Sequence, residues 1–154
     1  MAIPPFSDHG LLPAGVWDCK LEEAGSALCW NQHRQHLWKN FERFLAEKIN
    51  GQLPKGTPLW IDGSFVRRKE FPDDIDVVID LTSLVDDLAA IRKALEIRIA
   101  HEAIKKSYRV DAWARHPVIP NDLAAYFQYA GAKCAAELSI NNPKHPKGIL
   151  RVTL

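Results

Sequence analysis

The stretch LWIDGSFVRRKEFPDDIDVVID, residues 59–80, decides how this chain is read. LWID, at 59–62, follows a loop bracketed by Pro54 and Pro58 and has the bulk and brevity of a strand. IDVVID, at 75–80, alternates: Ile75, Val77 and Ile79 share one face, and Asp76, Val78 and Asp80 the other. The pattern predicts two strands with one side buried and the other polar.

Working outward, Pro4, Pro5, Gly10, Pro13 and Gly15 predict an extended arm over residues 1–17. Asp18 then reads as a helix cap, with a break near Gly25. Leu37, Phe41, Phe44 and Leu45 make a helical apolar stripe, and Asn50-Gly51 is a left-handed stop. Leu84, Leu88, Ile91, Leu95 and Ile99 predict one long amphipathic helix reaching about Lys106. YRVDAWA alternates again from Tyr108, with Val110 and Ala112 on one face and Arg109, Asp111 and Trp113 on the other. Asn121 caps a further helix with the stripe Leu123, Phe127, Ala130, Cys134 and Leu138, and ILRVTL closes the chain as a strand. The expectation is an α+β (α/β) fold: one domain over 1–154, a small mixed or antiparallel sheet with helices on one face, and carboxylates crowding a second, solvent-open face.

Composition narrows the function. At 154 residues, 47% hydrophobic and 25% charged, the chain has the makings of one globular core. A net charge of +1 and a pI near 7.8 argue against general DNA binding, so any nucleic-acid contact must be local. Cys19, Cys29 and Cys134 are odd in number and widely spaced, which supports neither a disulfide framework nor a zinc ribbon. With no signal-peptide pattern and no long apolar run, the expected location is the cytoplasm, without membrane association. His33 and His36 lack the H-E-x-x-H pattern and are expected at the surface.

Seven acids, Glu70, Asp73, Asp74, Asp76, Asp80, Asp86 and Asp87, lie between residues 70 and 87 with no Lys or Arg among them. Asp74 and Asp76, two apart, project from one face about 7 Å apart if the strand starts by residue 74. Such hard oxygen ligands suit Mg²⁺ or Mn²⁺, and two ions can clamp the attacking and leaving oxygens of a phosphoryl transfer. Asp111 is the best third carboxylate, with Asp80 and Asp122 as substitutes. Asp73 reads as a turn residue after Pro72. Gly63 and Ser64, after the first strand, form a candidate phosphate cradle, and Arg67, Arg68 and Lys69 supply nearby cations. Lys144, His145 and Lys147 read as a solvated turn, Trp113 as core or a base-stacking residue, and Cys134 as core.

This arrangement resembles the nucleotidyltransferase superfamily typified by DNA polymerase beta. There a strand leads into Gly-Ser, about nine to thirteen residues follow, and then an acid, an apolar residue and an acid. In this chain nine residues separate Ser64 from Asp74-Ile75-Asp76, and Val110-Asp111-Ala112 is similar to the family's third-acid strand. The likeness covers roughly 58–114. More narrowly, the Pro-rich arm, the DGSF run and Lys147-Gly148-Ile149 resemble short bacterial nucleotidyltransferase-like proteins of unassigned function. The resemblance implies a nucleoside triphosphate with its phosphates at Gly63 and Ser64, assisted by Arg67 and Lys69. It also implies two Mg²⁺ (or Mn²⁺) ions on Asp74, Asp76 and Asp111, with Asp111 helping an acceptor hydroxyl lose its proton. The nucleoside monophosphate would pass to a protein, RNA or small molecule. With no evident second domain to grip a template, templated polymerisation is not expected. Two other roles fit the same residues: a non-catalytic binding or antitoxin-like regulatory protein of this fold, and metal-dependent phosphoester hydrolysis.

Overall fold

A computed structural model describes residues 3–120 and 123–154. The elements run β1 (Gly15–Cys19), α1 (Leu21–Leu28), α2 (Gln32–Phe44), a π-helical turn (Leu45–Ile49), β2 (Pro58–Asp62), a 3₁₀ turn (Gly63–Val66), β3 (Ile75–Asp80), α3 (Leu88–Ile99), α4 (His101–Tyr108), β4 (Val110–Arg115), α5 (Leu123–Phe127), α6 (Gly131–Glu137) and β5 (Gly148–Thr153). The strands form one mixed sheet in the order β1-β5-β2-β3-β4. Its outer pairs, β1 with β5 and β3 with β4, are parallel, while β2 is antiparallel to both β5 and β3. The protein is therefore α+β, with a five-stranded mixed sheet.

The strand alternation read from the sequence is the alternation found. Ile75, Val77 and Ile79 are fully buried and join Leu59, Ile61, Val110, Ala112, Leu150 and Val152 against Leu37, Phe41 and Phe44 of α2. The opposite face is not simply polar. Trp60, Val78, Ile149 and Leu123 form a second, smaller cluster there, with Trp113 and Phe127 packed against it, so α5 covers part of the face expected to lie open. All three cysteines are free thiols.

Several boundaries differ from expectation. Asp18 does not start a helix; it lies in β1 and pairs with Arg151 of β5, so the extended arm gives way to a sheet strand before helix α1 begins. The helical break falls at residues 29–31, where Asn31 caps α2 by accepting from the Arg34 backbone N–H at 2.8 Å. Gly25 instead marks a close crossing, since a Cβ there would lie 2.8 Å from Trp38 Nε1. Gly51, at φ 74°, ends the helical run as expected.

The long helix is two helices, interrupted at Ala100. Its buried stripe is Ala90, Ala94 and Ile97, while Leu88, Leu95 and Ile99 are exposed. Ala90 and Ala94 turn inward with Ile97, and of the expected stripe only Leu84 and Ile91 pack against the core. The final helix is likewise split into α5 and α6, and Gly131 at φ 77° opens α6. Its expected cap, Asn121, and the substitute acid Asp122 lie outside the described residues.

Candidate functional site

Strand register builds the site. Asp62, the last residue of β2, is the partner of Asp76 on β3, and Asp76 is the partner of Asp111 on β4. Alternation puts all three on the face of Trp60, Val78 and Trp113, so three neighbouring strands each present a carboxylate at one level. Asp74 precedes β3 rather than lying in it. It joins the group through Lys105 of α4, whose Nζ is 2.8 Å from Asp74 Oδ2 and 3.2 Å from Asp111 Oδ2. The expected acids are thus brought together, with a lysine between two of them that the sequence reading did not anticipate. Among the described residues, no three His, Cys, Asp or Glu side chains already gather as a metal-ligand group.

Asp62 was also not anticipated. It is fully buried, and its Oδ1 is 2.8 Å from Nζ of Lys147, itself 7% exposed. Lys147 is therefore no solvated turn residue. Its backbone N–H donates to the Gln128 carbonyl, and its ammonium reaches inward along the row of acids. Asp62 Oδ2 has no hydrogen-bond partner. Burial pushes the Asp62 carboxyl above its ordinary range, against the pull of the Lys147 ammonium and the Gly63 N–H.

Asp76 feels the accumulated charge most. Burial first, and then the neighbouring Asp74, Asp62 and Asp111, raise its carboxyl to about 7, with Lys147 opposing. Hydrogen bonds to Asp74 and Asp111 outweigh desolvation at Lys105 and hold that ammonium more firmly protonated than usual. Four carboxylates face the Lys105 and Lys147 ammonium groups and the Arg98 guanidinium, which lies 4.0 Å from Asp111 Oδ1, an excess of one negative charge when all are ionised.

Gly63 stands directly after Asp62 at φ 73°, and a Cβ on it would lie 1.8 Å from Asp76 Oδ2. The glycine is required twice, by its left-handed backbone and by the carboxylate against it. Gly63→Ala should therefore cost about 1–2 kcal/mol from backbone conformation alone, plus the displacement of Asp76. In urea denaturation the loss should shrink when Asp76 is also truncated to alanine. Equal losses in the two backgrounds would contradict the close approach.

Gly63 and Ser64 line a cleft of about 470 Å³ with Asp74, Asp76, Lys105 and Lys147. Tyr126 and Tyr129, both well exposed, stand among its walls. Arg67 and Lys69 also line it, but Arg67 is largely buried against Glu137, and Lys69 Nζ lies 3.9 Å from the same carboxylate. A second cleft, of about 740 Å³, is lined by Asp111, Trp113, Arg98, His101 and Arg109. Asp73, Asp74 and Lys105 belong to both clefts. Trp113 packs partly against the smaller apolar cluster, with the Arg98 guanidinium 3.8 Å from its ring centroid.

The remaining candidates have structural employment. Asp80 accepts from Trp60 Nε1 at 3.1 Å, from the Thr82 backbone at 2.9 Å and from Arg115 at 3.3 Å, which ties it to the far end of β3. His33 Nε2 donates to the Pro72 carbonyl at 2.6 Å. Arg34, wholly buried and pushed down to about 10 by desolvation, donates to the carbonyls of Leu28, Phe65, Arg67 and Lys69. It thereby fixes the loop that carries Arg67 and Lys69 from the 3₁₀ turn toward β3.

Fold and site together define an α+β protein with a carboxylate row across three strands, beside a glycine turn and between two clefts. The chain belongs to a family of unknown function, DUF6932, which matches residues 4–153. No curated protein and no solved structure matches it. Among the described residues, no helix is long and apolar enough to cross a membrane.

Proposed function

We propose that the chain is a metal-dependent nucleotidyltransferase that moves a nucleoside monophosphate from a nucleoside triphosphate to a hydroxyl on a protein, RNA or small molecule. The observation that carries this reading is the register of Asp62, Asp76 and Asp111 beside Gly63. It supports the nucleotidyltransferase resemblance independently of sequence spacing, because the partnership of Asp76 with Asp111 is made by strand pairing.

The residues fit a divalent cation in charge and chemistry. Their oxygens are hard ligands, the group keeps one excess negative charge and gains a second when Lys105 swings away, and Asp62 Oδ2 is buried without a partner. Asp74, Asp76 and Asp111 would hold the ion, Mg²⁺ or Mn²⁺, which when bound supplies neutralisation of phosphate charge. A second ion needs the further negative charge that a triphosphate brings. Gly63 and Ser64 face the smaller cleft, where backbone N–H groups can approach phosphate oxygens. Asp111 faces the larger cleft, where an acceptor hydroxyl can be oriented and its proton accepted. Positioning and charge are most of what such a transfer asks of a protein.

The test uses nucleoside triphosphates labelled at the α or the γ phosphate, offered with protein and RNA fractions. Transfer of the α label with release of pyrophosphate supports the reading. Release of γ label as free phosphate, with no transfer, would support phosphoester hydrolysis instead. One observation favours a non-catalytic, regulatory role: Arg67 and Lys69 are already engaged by Glu137, and Lys105 by Asp74 and Asp111. Nucleotide binding without turnover would select that role.

A further inference from the structure

We propose that Lys105 is a built-in competitor for the cation position of the carboxylate site, so that metal loads only by displacing its ammonium. The inference rests on the reading of Asp74, Asp76 and Asp111 as metal ligands and concerns how that site is regulated. Asp74 and Asp111 come from different strands or strand ends, and the Lys105 ammonium spans them at 2.8 and 3.2 Å. Arg98 approaches only Asp111, at 4.0 Å, so Lys105 is the positive charge shared by the two acids that would hold the cation.

Exposure shows which partner can leave. The Lys105 side chain is 48% exposed, whereas those of Asp74 and Asp111 are 15% and 17% exposed. The acids are held by the sheet and its border, while the lysine sits on a flexible four-carbon stem at the surface. Swinging it into water loses an ion pair of the partly exposed kind, which is weak. Lys105 also borders both clefts, together with Asp73 and Asp74, and of these three it has the flexible side chain that can swing out from between the cleft beside Gly63 and the cleft beside Asp111.

Nothing else on α4 plays this part. Lys106, its neighbour, lines only the larger cleft and contacts neither acid, which makes it the control for general loss of positive charge.

The experiment is Mn²⁺ binding to the full chain without nucleotide, read from the free-ion electron paramagnetic resonance signal. Lys105→Gln should bind Mn²⁺ about tenfold more tightly than the native protein, while Lys106→Gln stays within about twofold of native, as expected for a screened surface charge. With chelator present, Lys105→Gln should melt below native, and saturating Mn²⁺ should close that gap. Equal or weaker Mn²⁺ binding by Lys105→Gln, with the native protein binding, overturns the competitor role and leaves the metal-site reading standing. Equal tightening by both variants overturns it as well, reducing the effect to net charge. Absence of Mn²⁺ binding in every form overturns both readings together.

Discussion

Asp76→Asn should cut nucleotidyl transfer by on the order of a thousandfold, the upper range for loss of one electrostatic stabiliser, while making the metal-free protein more stable at pH 8. The two effects have opposite signs for one reason. An ordinary Asp carboxyl titrates near 3.9, and in the folded protein burial and three neighbouring acids hold this one at about 7. The native state therefore binds the proton more tightly than the unfolded chain. Below about pH 4 the group is protonated in both states and its penalty is absent. Between about pH 4 and 7 the penalty grows, and above the folded value it is complete, on the order of 4 kcal/mol for a gap of roughly three units. Asparagine carries no charge at any of these values. In chelator, the native protein should lose stability relative to Asp76→Asn as pH rises across that window, and the variant should melt at least roughly 5 °C higher at pH 8. A variant that melts lower than native at pH 8 would show that Asp76 is not under the repulsion described.

Lys147→Met should destabilise the fold by about 3–5 kcal/mol, because it leaves the Asp62 carboxylate buried and unpaired. The pair is almost wholly out of water, with side chains 8% and 0% exposed, and Asp62 already has one oxygen without a partner. Asp62→Asn combined with Lys147→Met removes the charge along with its partner and should recover most of the loss. Urea denaturation of the two single variants and the double variant measures the coupling. Additive losses would mean that the ion pair contributes nothing specific, and Lys147 would then count as ordinary packing.

How much of this was legible in the sequence depended on whether a residue's role is set locally. The strands β3 and β4 were plain because period-two alternation survives in the chain, β2 was plain from its bulk and brevity, and IDVVID occupies the residues expected of it. Asp74, Asp76 and Asp111 were legible as candidates because type and spacing carry their chemistry. Asp62 stood in the quoted stretch beside Gly63, yet only the antiparallel pairing of β2 with β3 makes it the neighbour of Asp76. Its position before a glycine at a strand end was the one signal available.

Lys105 and Lys147 could not be read in the same way. A lysine on a helix, or in a Pro-rich turn, has the composition of a solvated surface, and only tertiary placement gives it a carboxylate. The alanine stripe of α3 was missed for a related reason. The stripe was read from leucines and isoleucines at helical spacing, whereas the buried face is Ala90, Ala94 and Ile97 and leaves Leu88, Leu95 and Ile99 exposed. In each case the missing information was which surface meets which, a property of the assembled layers.

The central claim is that the carboxylate row and Gly63 together make a site for a divalent cation and a nucleoside triphosphate. It is tested most directly by calorimetric titration of a non-hydrolysable triphosphate into the full chain, with and without Mn²⁺, in native protein and in Asp76→Asn. The account predicts binding that requires Mn²⁺ in the native protein and is lost in the variant. Binding that is indifferent to both the metal and Asp76, or no binding to the native protein in the presence of Mn²⁺, would contradict it.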